Sequence, residues 1–110
     1  MPRVPARVPA AIDVFAGLFE SQQLCFAHLY DLASNQGADI DLGEVDVICK
    51  TDPAPRLAHY FNAQTAHNIA TDMGLNTTLV LVFEGALEGT LGASDRLHAL
   101  GRFQGSRLRA

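Results

Sequence analysis

The stretch from Asn76 to Glu84 contains five consecutive large apolar residues, Leu79, Val80, Leu81, Val82 and Phe83. A strand with one wet face would alternate apolar and polar positions. An unbroken run needs cover on both faces, at least in part. Gly74 and Gly85 punctuate it at either end, so the pattern predicts a strand in the interior of a small sheet. The run is far short of the roughly 20 apolar residues that a bilayer span requires.

Other periods appear on either side of it. From Ala11 to Phe19, Ile12, Val14 and Ala16 alternate with Asp13 and Phe15, the two-residue period of a strand. Ser21 then predicts a helix N-cap. Cys25, His28, Leu29 and Leu32 fall on one helical face, widened by Leu24 and Phe26, and Asn35 and Gly37 predict the helix end. Ala38 to Glu44 is polar and acidic, a loop or a sheet edge. Val45, Val47 and Cys49 alternate with Asp46 and Ile48 as a short strand, which the Asp52-Pro53-Ala54-Pro55 stretch breaks. Asn62 predicts the cap of a second helix, Ala63 to Met73, with Ala66, Ile69, Ala70 and Met73 as its apolar stripe and Gly74 as its stop. After the central strand comes a glycine-punctuated connection. A last strand from Arg96 to Phe103 is expected to pair antiparallel with the central one, with Gly101 allowing a bulge.

The predicted order is β-α-β-α-β-β. It reads as a small single-domain α+β fold: a mixed, mostly antiparallel sheet with two helices packed on one face. The 110 residues suit one domain. Residues 1–10, with three prolines and two arginines, are expected to form a flexible N-terminal arm. Residues 11–104 are then the domain and 105–110 a basic C-terminal tail. The arm lacks the uninterrupted apolar core of a signal peptide. The cysteines, Cys25 and Cys49, show no metal or disulfide-scaffold spacing, and a single bridge between them stays open. A reducing, cytoplasmic compartment is the expectation.

The formal net charge is −4, but its distribution changes the picture more than its size. Eight acids lie between Asp13 and Asp52, opposed only by Lys50, whereas Arg96 to Ala110 holds four arginines and no acid. An acidic surface of this kind is a poor match for nucleic acid and a better match for a basic protein partner. Its densest part holds Asp39, Asp41, Glu44 and Asp46, which become the candidate partner-binding residues. Asp39 with Asp41, and Glu44 with Asp46, are each two apart, so on an extended chain each pair points one way.

Other chemistry finds less support. His28, His59, His67 and His98 form neither HxxxH nor HExxH, so no metal is expected. Cys25 lies near a helix start, where the dipole would lower a thiol pKa, yet it shares the core-facing stripe with Leu29 and Leu32. The glycines at 85, 89 and 92 form no phosphate-binding loop. No catalytic residue and no cofactor are expected.

Three stretches together resemble the immunity protein 22 family of small bacterial proteins. They are VFAGLFESQQLCFAHL from Val14 to Leu29, NTTLVLVFEGAL from Asn76 to Leu87, and HALGRFQG from His98 to Gly105. The first is similar to that family's opening strand and amphipathic helix, the second to its central strand, the third to its closing strand. The resemblance implies a non-enzymatic protein that binds and neutralises a cognate toxin. From the residues themselves no nucleic acid and no membrane are expected as partners, and monomer or homodimer stays open. Two other functions remain open from the residues themselves. One is an oligomeric structural or adaptor domain that associates through a sheet edge or an exposed apolar helix face; the other is a small enzyme using Asp or His residues in a pocket.

Overall fold

The computed structural model describes residues 6–109 apart from Thr90 and Ala93. It is an α+β domain built on a four-stranded sheet in the order β3-β4-β1-β6, every neighbour pair antiparallel. The strands are β1 (Ala6–Gly17), β3 (Val45–Cys49), β4 (Thr78–Phe83) and β6 (Leu97–Arg109). Two short strands, β2 (Asp39–Ile40) and β5 (Leu87–Glu88), make a separate ladder. The helices are α1 (Gln22–Asn35), α2 (Ala54–Tyr60) and α3 (Ala63–Asp72). Among the described residues no helix is long and apolar enough to cross a membrane.

β4 is an interior strand, flanked by β3 and β1, and all six of its residues are buried. Its alternation splits the core in two. Val80 and Val82 join Phe15, Val47 and Leu97 under Cys25, Leu29 and Ala33 of α1. Leu79, Leu81 and Phe83 join Ile12, Val14 and Ile48 under Leu57 of α2 and Ile69 of α3. The helices therefore lie on opposite faces of the sheet, not together on one face. The unbroken apolar run dictates this, because each face of β4 needs a cover of its own. Helix ends follow local chemistry. Ser21 Oγ accepts from Leu24 N and Asn62 Oδ1 from Thr65 N, each satisfying an otherwise free amide of a first turn. Gly74 follows the last turn of α3 at φ +58°, a conformation that costs glycine nothing.

Three further expectations change. β6 pairs with β1 rather than with β4, whose other side is taken by β3. An extra residue in β6 falls where Val14 faces Gly101 and Phe15 faces Ala99, with Gly101 at φ +138°, so the expected bulge is there. The expected arm and tail are strand where they are described: Ala6 to Ala10 pair with Gly105 to Arg109 as a two-stranded extension beyond the end of β4, and Met1 to Pro5 lie outside the described residues. Pro9 is tolerated because, among the described residues, no strand lies on its other side. Finally, the proline-rich stretch does not merely end β3 but starts α2. Asp52 Oδ1 accepts from Ala54 N, and prolines are at home in a first turn, where no amide needs an intrahelical partner.

Candidate functional site

The four candidate carboxylates Asp39, Asp41, Glu44 and Asp46 separate into two places. The divide is Val45: with Val47 it packs toward α1, while Asp46 and Ile48 face α2.

Glu44 and Asp46 line a cavity of about 500 Å³ between β3, α2 and the far end of β6. Helix α2 brings Arg56, His59 and Tyr60 to it together, because residues i, i+3 and i+4 share a helix face. Asp46 Oδ1 accepts from Arg56 Nη1 at 2.8 Å, and Oδ2 accepts from the Tyr60 hydroxyl at 2.8 Å. Arg107 reaches over from β6, donates to Glu44, and lays its guanidinium on the Phe83 ring, 4.5 Å from the centroid. Tyr60 meets the same ring edge-on at 5.0 Å. Burial, then the hydrogen bond and charge of Asp46, push the Tyr60 hydroxyl up to about 12, so at neutral pH it keeps its proton and donates. Two carboxylates and two guanidiniums sum to zero charge. Both acids are engaged, so the arrangement acts first as a clasp that fastens α2 and β6 to β3.

Asp39 and Asp41 lie elsewhere, on the small β2–β5 ladder. Ile40 and Leu87 face each other and pack onto the α1 side of the core. The alternation turns Asp39 outward directly opposite Glu88, and both are exposed. Asp41 is exposed as well, its Oδ1 accepting from Gly43 N at 3.0 Å. Among the described residues no cation pairs with Asp39, Asp41 or Glu88, and no group of three or more His, Cys, Asp and Glu residues is arranged to hold a metal ion. Like charges directly opposite in a ladder repel. Glu88 escapes a reading of the sequence because its neighbour in space is 49 positions away and the pairing strands are two residues long. Arg56 and Tyr60 were legible only as an i, i+4 pair on a helix the prolines concealed.

The thiols are both free. Cys25 is fully buried and burial pushes it up to about 12, leaving it a small apolar side chain at neutral pH. Cys49 Sγ lies 3.5 Å from the Phe19 carbonyl and 3.4 Å from Thr78 Oγ1. His28 Nε2 hydrogen-bonds Ser94 Oγ at 2.9 Å, and its ring rests near Phe19.

Compared with family models, with curated proteins and with solved structures, the chain matches none.

Proposed function

We propose that this chain is a non-catalytic binding module whose acidic face, Asp39, Asp41 and Glu88, receives a basic protein surface. The observation that supports it is the Asp39–Glu88 pair, two carboxylates held face to face with no cation against them among the described residues. The fold gains nothing from that juxtaposition, and a lysine or arginine from a partner would relieve it. Glu44 and Asp46 take a different role in this proposal: their charge is spent on Arg107 and Arg56. A toxin with a basic groove is one such partner, and the resemblance to the immunity protein 22 family implies that kind.

A titration with a short oligolysine, followed by backbone amide NMR, tests the proposal. Shifts are expected at residues 39–41 and 87–88, fading as salt rises because the Debye length contracts from about 10 Å at 0.1 M to about 3 Å at 1 M. The Asp39→Asn/Glu88→Gln variant is expected to lose them. Shifts centred on Glu44 and Asp46 instead, or unchanged in the variant, would overturn the assignment.

A further inference from the structure

β6 is a thirteen-residue strand at one edge of the main sheet. Its inner side pairs with β1 along its length; among the described residues no strand pairs with its outer side. The opposite edge is treated differently. β3 is five residues long, and its Val47 carbonyl accepts from Gln22 Nε2 at 3.3 Å and Arg56 Nη1 at 3.5 Å, two side chains that stop that edge. Soluble proteins blunt long edges with lysine, proline or a cover. From Leu97 to Arg109 there is neither lysine nor proline, and Arg102 and Arg107 are drawn back onto Asp13 and Glu44 of their own chain.

The direction of the free peptide groups follows from β1. Glu84 N donates to Ala11 O, so Ala11 presents its peptide groups toward β4, and its neighbours Ala10 and Ile12 present theirs toward β6. Ile12 faces Phe103 and Ala10 faces Gly105. Phe103 and Gly105 therefore bond to β1, while Arg102, Gln104 and Ser106 direct their N–H and C=O groups outward.

We infer that the occupant of this edge is a second copy of the chain, β6 against β6, antiparallel about a twofold axis at Gln104. The sequence Gly101-Arg102-Phe103-Gln104-Gly105-Ser106-Arg107 is self-complementary in that register. On one face Phe103 stands opposite Gly105 of the mate and Arg107 opposite Gly101, so no two large side chains compete for the same place across the seam. On the other face Arg102 meets Ser106 and Gln104 meets Gln104. No like charges stand directly opposite, the arrangement that would oppose pairing. The contact is isologous, so it closes at two copies and joins the two sheets into one.

Sedimentation equilibrium of the full chain is expected to give twice the 11.8 kDa chain mass. Gln104→Pro removes an outward N–H without touching the β1 ladder, and is expected to give the single-chain mass with an unchanged far-UV CD spectrum. Gln104→Cys in a Cys49→Ser background is expected to form an intermolecular disulfide on oxidation, because hydrogen-bonded antiparallel partners have Cα atoms about 5.5 Å apart, inside the disulfide range of about 4.4–6.8 Å. A single-chain mass for the wild type up to its solubility limit would overturn the inference. So would a dimer that Gln104→Cys cannot cross-link, since its interface would lie elsewhere. Should Gln104→Pro unfold, the cross-link decides alone.

Discussion

Residues of the same type do different work here according to their neighbours. His28 is partly withdrawn from water beside Phe19, and burial, followed by the charge of Arg96, lowers its pKa below the ordinary 6.5. Its neutral form is thus favoured in the folded state, and the unfolded chain binds the proton more readily. Stability rises with pH wherever the unfolded state holds more protons, so this contribution is complete above about pH 6.5 and is lost as pH falls toward the lowered folded value. His28→Gln keeps a group able to reach Ser94 and cannot titrate. Thermal melts from pH 7.5 to 5 are expected to show a shallower acid loss for the variant than for the wild type. Parallel curves would remove His28 from the account. Much of this scale was legible in advance: Ser21 and Asn62 were readable as caps, because a side-chain oxygen ahead of an apolar period has one local job. The partners of Asp46 were not, since Tyr60 and Arg56 come to it only through tertiary packing.

Elements are held at close approach by particular glycines. A Cβ on Gly105 would stand 2.6 Å from the Tyr60 carbonyl oxygen and 3.0 Å from both Ile12 Cδ1 and Phe61 Cδ1. The first of these is backbone, so the end of α2 itself would have to retreat from β6. Gly105→Ala is expected to destabilise the domain by about 1–3 kcal/mol, the usual scale of overpacking, measured as a lower urea midpoint with an unchanged slope. Full tolerance would show that α2 is seated less firmly than the clasp around Asp46 implies. At this scale the sequence was read correctly where one period dominates, as in α1 and β4. It was misread where two signals compete. Pro53 and Pro55 announce a break, and the same residues serve the first turn of α2. Residues 6–10 look frayed by composition, yet pairing with residues 105–109 makes strand of them, a contact about one hundred positions apart that no local pattern encodes.

Across the whole molecule, the two core layers explain how the acidic run is divided. β4 carries apolar residues to both faces, helices cover both faces, and the chain passing Val45 crosses from one side of the sheet to the other. Glu44 and Asp46 arrive among arginines, and Asp39 and Asp41 arrive beside Glu88. Charge density along the sequence located the run, but only the fold shows which of its members are spent. Exposed like charges opposite one another are destabilising, while an engaged, partly buried carboxylate supports the partners it holds. The most direct test is a side-by-side measurement of thermal midpoints for Asp39→Asn/Glu88→Gln and for Glu44→Gln/Asp46→Asn at neutral pH and low salt. The first variant is predicted to melt above the wild type and the second below it. Equal midpoints for the two variants, or the reverse order, would contradict the division of the acidic run into exposed, mutually repelling carboxylates and a structural clasp.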